Sequence, residues 1–510
     1  MDLRPALFFL LLAVCGLVAA ATVAVTGNDS AWRHMAEQDL ATIRDTIGER
    51  HPGPLDTRNP AFAQWNAKGY DEAMALAAKA TDFPGYESAL RAYVNGFHDG
   101  HLSLNLDMQT SRAWWPGFVM AWRDNAWRVH SVASDVASPH AGDVLVACDG
   151  VGADDLYARR VAPFYGNPEI RSSRVVSAPR LLVDTSTEKP ASPANCTFHS
   201  ASGEHTIALD WRRAQWDRLA PLLAAARTGA PPPLGVRAVA GNGTWVSLPS
   251  FTLQGTEIDA TKAVLAQLAT HRDSDYIVVD VRGNGGGSSY WGSATLAAIY
   301  GEAFGKWMDD EATRKQANTY VEFRVSQATA DHFRNELPRM AKGAGKESGD
   351  YRYFERIVAA LDSAVARGDK LLDDRAIQRA VYGAPNTTPA PRPDPAYHGR
   401  VFFLTDANCA SACLDFADLM LCAPNVVHVG GETSGDTAYM DVARRPLPSG
   451  TGTIVYATKV YRDRARGHNE TYAPSLAWTG DAWDTPSIEK WIADLQQSGK
   501  VPAQKTPKHC

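Results

Sequence analysis

The 510-residue sequence has no excess of basic charge and lacks the short motifs that hold zinc or nucleotide phosphates. Its formal net charge is -6 at pH 7, so there is no general positive field to attract nucleic acid. It has no paired CxxC elements and no HExxH, which argues against a zinc site. No GKS or GKT element follows a glycine-rich stretch, so a P-loop is excluded. Beyond the N-terminus, no apolar run is long enough to cross a membrane.

The first 21 residues have the pattern of an export signal. Arg4 precedes an apolar stretch at 5–18 that is short for a membrane span, and three alanines follow at 19–21. An uncleaved anchor is the main alternative. Lipidation of Cys15 is disfavoured, because Val14 is bulky where a lipoprotein signal has a small residue. The sequence therefore predicts an exported protein, periplasmic or secreted.

Signal cleavage removes Cys15 and leaves an even number of cysteines, which in an exported chain permits disulfides. We expect Cys148 to bond Cys196, because both fall in one small predicted domain. Cys413 and Cys422 lie on one predicted helix, where a direct bond is awkward. The remaining pairings stay open. The six cysteines are Cys148, Cys196, Cys409, Cys413, Cys422 and Cys510.

The chain is long enough for about three domains, and its composition is that of a soluble globular protein. Three patterns follow one another along the sequence. The first has helical periodicity, the second has short alternating strands, and the third is a strand–helix–strand pattern that predicts a parallel sheet. The predicted order is a helical N-terminal domain (22–110), a small β domain (111–213), a linker (214–234), two halves of an α/β core (235–304 and 398–510, the second ending in a helix) and a helical insertion between them (305–397).

A glycine-rich stretch ends one buried strand of this core. Tyr276–Val279 is apolar, and Asp280–Gly287 follows with the sequence DVRGNGGG. Three adjacent glycines at a strand end leave backbone N–H groups exposed, which suits an anion or a developing oxyanion. Dinucleotide binding is weakly supported because the third glycine of GxGxxG is missing. A purely structural turn is the alternative.

A second strand, Val401–Leu404, leads into a corner at Thr405–Ser411, after which the spacing of apolar residues predicts a helix. Ser411 would stand at the N-terminus of that helix, where the dipole favours developing negative charge. An N-cap serine is the commoner reason for serine at such a position, and this corner alone does not decide between the two.

His101 is the candidate base, since a neutral imidazole can take a proton from a serine hydroxyl. A metal pair with His98 is the alternative, but no further ligand cluster accompanies these two histidines. A cysteine nucleophile at Cys409 or Cys413 would need a reducing compartment, which export makes unfavourable.

Three segments together resemble the tail-specific (C-terminal processing) peptidase family. They are Asp280–Gly287, the corner LTDANCASA at Leu404–Ala412, and GETSG at Gly431–Gly435. The resemblance implies a serine peptidase core of crotonase-like α/β fold, preceded by a PDZ-like domain. The stretch AGDVLVACDGV at Ala141–Val151 is similar to the GD-x-L element of PDZ domains.

The family uses either a serine–lysine dyad or, in tricorn-core-like members, a histidine with a late glutamate. Asp436 stands at the dyad lysine position, so the resemblance favours the histidine arrangement, with GHLS at Gly100–Ser103 supplying His101. Glu470 falls about where the glutamate belongs. Gly100 replaces a serine of that loop, so Ser103, Asp99 or water is expected to complete the network. Asp441 and Asp463 are the alternatives to Glu470.

The implied mechanism is an acyl-enzyme on Ser411, with oxyanion donors from Gly285, Gly286 and Ala412 and no metal or cofactor. The expected partner is a protein or peptide substrate, whose C-terminus the PDZ-like domain would recognise. Two rival functions remain open on the same fold, a non-catalytic ligand-binding module and an esterase or amidase of small substrates.

Overall fold

The computed structural model describes residues 29–107, 111–343, 345–384, 387–480, 483–502, 507 and 510. The predicted signal peptide lies outside the described residues. Within them, no helix combines the length and apolar character needed to cross a membrane.

The N-terminal region is a three-helix unit that ends in one strand. α3 begins at a capping aspartate, because the side chain of Asp82 accepts from Gly85 N. Its buried face, which includes Tyr86, Leu90 and Tyr93, follows helical spacing and packs into a core shared with the last part of the chain. The elements are α1 (Asp29–Arg50), α2 (Pro60–Ala77), α3 (Phe83–Asn95) and β1 (Ser103–Leu106).

The β domain holds two sheets and a covering helix. A five-strand path runs in the order β3-β4-β5-β7-β8 with β6 beside β5, and β2 pairs with β9. Cys148 faces Cys196 across β5 and β7 and is bonded to it, which confirms the predicted disulfide. The elements are β2 (Arg112–Trp115), β3 (Phe118–Arg123), β4 (Ala126–Val132), β5 (Val144–Cys148), β6 (Val151–Gly152), α4 (Ala153–Arg160), α5 (Ala162–Tyr165), α6 (Ser173–Ser177), β7 (Asn195–Ser200), β8 (Gly203–Ala208), β9 (Arg212–Gln215) and α7 (Trp216–Thr228).

The stretch predicted as a linker contains α7 instead. Leu219 and Leu223 of this helix pack on Val119 and Ala121 of β3, so the segment belongs to the β domain. The proline run at 231–233, which is typical of a linker, begins only after α7 has ended.

The remaining elements build the core and its insertion. They are β10 (Gly235–Val239), β11 (Gly243–Ser247), α8 (Thr256–Leu268), β12 (Tyr276–Asp280), α9 (Tyr290–Tyr300), α10 (Glu302–Lys315), β13 (Tyr320–Arg324), α11 (Gln327–Gly343), α12 (Gly349–Arg367), β14 (Leu371–Asp373), α13 (Arg375–Tyr382), β15 (Arg400–Thr405), α14 (Ala412–Met420), β16 (Val426–Gly430), β17 (Tyr439–Pro446), β18 (Gly452–Arg462), β19 (Leu476–Ala477) and α15 (Thr485–Ser498).

The central sheet runs in the order β10-β11-β12-β15-β16-β19, and every pair except β10–β11 is parallel. Its four central strands, β11, β12, β15 and β16, are buried on both faces, as expected for parallel strands covered by helices. Asp280 at the end of β12 lies opposite Leu404 near the end of β15. The glycine-rich stretch and the serine corner therefore leave the sheet side by side, at the edge where α/β proteins bind ligands.

A second, antiparallel sheet joins three distant parts of the chain. Its order is β1-β18-β13-β14, with β17 also on β18. The insertion was predicted to be helical, yet it contributes β13 and β14. β13 pairs with β18, more than a hundred residues later, and no local pattern reveals such a partner. Ser103 of β1 lies opposite Val455 of β18, and this pairing carries the loop that precedes β1 toward the central sheet.

Candidate active site

Ser411 occupies a strained corner between β15 and α14. Its φ of 53° and ψ of -124° lie outside the regions that non-glycine residues favour, so the surrounding structure must impose this backbone. α14 begins at Ala412, and the Ser411 side chain makes no capping hydrogen bond to it. The N-cap interpretation of Ser411 is therefore wrong. The Ser411 hydroxyl is therefore not used to cap its own helix.

A disulfide spans this corner. Cys409 and Cys413 are both fully buried and bonded to each other, with their Cα atoms 5.3 Å apart. The sequence left the pairing of these cysteines open and offered them as alternative nucleophiles, and a bonded pair has no thiol to act as one. The bond closes a small ring around Ser411. It holds the two residues that flank the corner at a fixed separation.

Arg282 anchors the glycine-rich loop. Its guanidinium is 1% exposed and bonds both carboxylate oxygens of Asp280, at 2.9 and 2.7 Å. The same guanidinium donates to the backbone oxygen of Trp483 and to Thr485 Oγ1 at the start of α15. Residues at the start of α15 therefore hold Arg282, and with it the glycine-rich loop, in place.

Two polar side chains shape the loop itself. Asn284 Nδ2 donates to Leu248 O at 2.8 Å, and Asn284 Oδ1 accepts from Gly286 N at 2.9 Å. The side chain therefore links the loop to the residue that follows β11. Asp406, in the serine corner, accepts from Gly283 N at 3.1 Å. Burial raises the pKa of the Asp406 carboxyl above its ordinary value, although its hydrogen bonds oppose that shift.

The loop and the serine corner meet at Gly286. Its φ is +95°, and a β-carbon built there would lie 2.9 Å from Ala412 N. The N–H of Gly286 is engaged by Asn284, so it does not serve as the free donor that the sequence predicted. The N–H groups of Gly285 and Ala412 have no hydrogen-bond acceptor among the described residues, and Ala412 is the first residue of its helix. These two groups remain as candidate donors to an oxyanion.

His101 reaches the serine from the N-terminal unit. Its Nε2 lies 3.4 Å from Ser411 Oγ, across 310 residues of sequence. Asp99 Oδ1 accepts from the backbone N–H of His101 at 3.0 Å and from Thr437 Oγ1 at 2.8 Å. Asp99 Oδ2 lies 3.0 Å from His51 Nε2 in a fully buried pair. Asp99 therefore fixes the loop that carries His101, and it does so through the backbone.

Asp99 stays ionised in this position. Burial by itself raises the pKa of the Asp99 carboxyl, but the hydrogen bond with His51 and the bond from His101 N outweigh it. The net pKa of Asp99 lies below its ordinary value. His51 Nδ1 accepts from Gly53 N at 2.9 Å, so the proton of a neutral His51 sits on Nε2, facing Asp99.

None of the acids considered from the sequence bonds to the His101 imidazole within the described part of the chain. Glu470 is exposed, and its carboxylate accepts from Gly467 N at 2.6 Å. Asp441 pairs with Lys459 at 2.7 Å, and Asp463 pairs with Arg58 at 2.8 Å. Among the described residues, His101 Nδ1 is buried and has no hydrogen-bond partner.

The structure thus brings Ser411, His101, Gly285, Gly286 and Ala412 together and leaves Glu470 outside hydrogen-bond reach of His101. Sequence reasoning did not single out Asn284 and Arg282, whose roles depend on partners from other parts of the chain. An asparagine within a run of glycines was the one local signal for Asn284, because such a residue often fixes a loop by bonding its own backbone.

The comparison with known families agrees with this geometry. Residues 244–474 match the model of Peptidase family S41. The matched segment contains the glycine-rich stretch and Ser411. This match identifies the protein as a serine-type peptidase, as its sequence motifs indicate. No curated protein matches the chain in sequence.

Solved structures of low sequence identity share the fold of this chain. Mature CPAF has a TM-score of 0.58 and 12% identity, with 92% of this chain and 99% of CPAF covered. Mature CPAF complexed with lactacystin gives the same score and identity, with 92% and 100% covered. A CPAF mutant has a TM-score of 0.56 and 11% identity, with 93% and 100% covered.

Proposed function

We propose that this protein hydrolyses peptide bonds through an acyl-enzyme on Ser411, with His101 as the general base. The observation that carries the proposal is the 3.4 Å separation of His101 Nε2 and Ser411 Oγ at a strained strand-to-helix corner. Candidate catalytic hydrogen bonds are often long without substrate and tighten in the complex.

The proposed reaction has two halves, acylation of Ser411 and hydrolysis of the acyl-enzyme. His101 Nε2 takes the proton of Ser411 Oγ as that oxygen bonds to the substrate carbonyl carbon. The resulting oxyanion accepts from the N–H groups of Gly285 and Ala412, while Gly286 permits the close approach of loop and nucleophile. The imidazolium then protonates the departing amine as the C–N bond breaks. Water repeats the sequence on the acyl-enzyme, which releases the carboxylic acid and restores Ser411.

Two domains of the chain have a proposed role in this reaction. The central parallel sheet with its helices is the crotonase-like peptidase core, and residues 111–213 are the PDZ-like domain that presents a protein or peptide substrate. Segment Asn167–Ser172 of this domain supports that assignment, since Ser172 Oγ donates to Thr433 O at 2.7 Å and Asn167 to His98 O at 3.3 Å. We place the mature protein outside the cytoplasm on the basis of its N-terminal signal pattern and its disulfides.

The test is labelling of the purified protein by a fluorophosphonate probe, with wild type beside Ser411→Ala and His101→Ala. We expect one labelled peptide, containing Ser411, in wild type only. Absence of labelling in a folded wild-type protein would favour the ligand-binding module. Labelling accompanied by turnover of small esters and no cleavage of a peptide library would favour the esterase.

A further inference from the structure

Among the buried polar atoms near the candidate site that have no hydrogen-bond partner in the described residues are His101 Nδ1 and Asn469 Oδ1. Their chemistry is complementary. An imidazole whose Nε2 is to accept the proton of Ser411 carries its own hydrogen on Nδ1, which makes Nδ1 a donor. An amide oxygen is an acceptor. A buried donor and a buried acceptor that both stay unpaired cost free energy, and pairing them removes both penalties.

Asn469 is held in one orientation. Its Nδ2 donates to Glu169 Oε2 at 2.6 Å and lies 3.4 Å from His98 O. Only an NH₂ group can donate to a carboxylate and a carbonyl together, so the amide cannot flip and Oδ1 must be the unpartnered atom. Asn469 is 5% exposed, so water competes little for its side chain.

Asn469 and His101 belong to one local network. Asn469 Nδ2 contacts His98, three residues before His101 on the same loop. The backbone N–H of Asn469 donates to Asp436 O at 2.8 Å. Thr437, the next residue, donates to Asp99, which in turn holds the backbone of His101. The neighbouring Glu470 points to solvent and bonds within its own turn.

We propose, resting on the catalytic function above, that Asn469 is the residue that positions His101. Its Oδ1 accepts the Nδ1 hydrogen of His101 through one bridging water molecule. A neutral amide fixes the tautomer and the ring plane, as in the Cys-His-Asn arrangement of papain-like peptidases. It offers less stabilisation of the imidazolium than a carboxylate would.

The experiment measures the rate of fluorophosphonate labelling of Ser411 as a function of pH, in proteins whose folding is checked by circular dichroism. Wild-type labelling is established first, so a failure of the proposed function is seen separately. Asn469→Ala is expected to label about tenfold or more slowly, a part of the 10²–10⁴ that acid–base catalysis typically supplies. Asn167→Ala is the matched control. It loses a hydrogen bond to the same His98 oxygen but leaves the acceptor for Nδ1 in place, so its effect is expected to be much smaller.

A charge-changing variant separates positioning from mere structural support. Asn469→Asp is made together with Glu169→Gln, so that the new carboxylate does not face Glu169, and is compared with Glu169→Gln alone. The acid limb of the profile is the fall in labelling rate at low pH. It is expected to move to higher pH, because a carboxylate beside the His101 imidazole favours the protonated form of that imidazole. Asp99, His98 and His468 also lie around this loop, and their contributions cancel in the comparison.

Three results would overturn the proposal. The first is a labelling rate for Asn469→Ala that equals the wild-type rate. The second is an acid limb at the same pH in the Asn469→Asp/Glu169→Gln variant as in Glu169→Gln alone. The third is a loss on Glu470→Gln that exceeds the loss on Asn469→Ala, which would return the positioning role to Glu470.

Discussion

The α-carbon of Gly286 faces Ser411 so closely that a β-carbon built on it would lie 2.8 Å from Ser411 Cβ and 2.7 Å from Ala410 O. Real β-carbons do not approach backbone oxygen at that distance, so a side chain here must displace the serine corner. Gly285, the preceding residue, has nothing within 4 Å of the same construction. The two glycines therefore offer a matched pair of positions for substitution.

Gly286→Ala is expected to lower fluorophosphonate labelling about a hundredfold or more, because it moves Ser411 relative to the oxyanion donors. Its positive φ adds backbone strain, so the free energy of unfolding should fall as well. Gly285→Ala keeps its N–H donor and should fold and label at close to the wild-type rate. Equal labelling of the two variants would show that the contact at Gly286 does not control the site.

Removal of the Cys409–Cys413 bond by a double substitution to alanine is expected to slow labelling about tenfold or more. The bond encloses only five residues, counting both cysteines, so its loss should lower the free energy of unfolding by about 2 kcal/mol. The main effect is therefore expected on the reactivity of Ser411 and less on stability.

The Cys148–Cys196 bond provides the comparison. It closes a much longer loop, with a sequence separation of 48, and its removal should lower the free energy of unfolding by about 4 kcal/mol. Labelling of the folded protein should stay near the wild-type rate, because this bond lies in the β domain. If the Cys409–Cys413 variant labels as fast as the Cys148–Cys196 variant, the bond around Ser411 has no role in shaping the nucleophile.

His428 should make stability fall in acid. Burial lowers the pKa of His428 to about 3, and its Nε2 lies 2.7 Å from Thr405 Oγ1, which itself donates to Gly431 O. In the unfolded chain a histidine has its ordinary pKa of about 6.5, so the unfolded state takes up a proton first. This contribution to stability is complete above about pH 6.5 and is lost at roughly 1.4 kcal/mol per pH unit between there and about pH 3.

Urea unfolding at pH 8, 7, 6 and 5 tests the effect of His428. His428→Gln should be less stable than wild type at pH 8, and the difference should shrink toward pH 5 as the wild type loses its histidine contribution. His140→Gln, at an exposed histidine, should run parallel to wild type over the whole range. A constant difference between His428→Gln and wild type would mean that His428 does not titrate on unfolding.

Asp99→Asn is expected to slow labelling about tenfold, because an amide weakens the bonds that hold the loop of His101. The folded-state pKa of Asp99 is depressed, so its carboxylate stabilises the protein above the ordinary aspartate pKa and loses that effect as pH falls through the folded value. Asp149→Asn is the control, since Asp149 also has a lowered pKa but caps a turn of the β domain. Equal labelling by the two variants would contradict a role for Asp99 at the site.

The parts of the site that follow from short-range sequence were predictable. Three glycines after a buried strand and a serine before a helical pattern are local signals, and parallel pairing of β12 with β15 brings them together. The choice of His101 among the histidines needed the family resemblance, since nothing in its neighbourhood points to Ser411.

The parts that were missed depend on pairings between distant residues or on an unusual backbone. β13 was not foreseen because its partner β18 lies beyond the insertion, and α7 was assigned to a linker because prolines follow it. The Cys409–Cys413 bond spans a residue with positive φ, so helical spacing gave no reason to expect it. The absence of a hydrogen-bond partner for His101 Nδ1 among the described residues is visible only in the folded structure.

The pairing of β1 with β18 also bears on when, during synthesis, the proposed site can assemble. A chain that has been synthesised only as far as residue 450 already contains Ser411 and His101, yet it lacks the strand that lies opposite Ser103. Until that strand arrives, β1 lacks its hydrogen-bonding partner. We therefore expect a growing chain to complete the proposed site only after β18 has been made and has paired with β1.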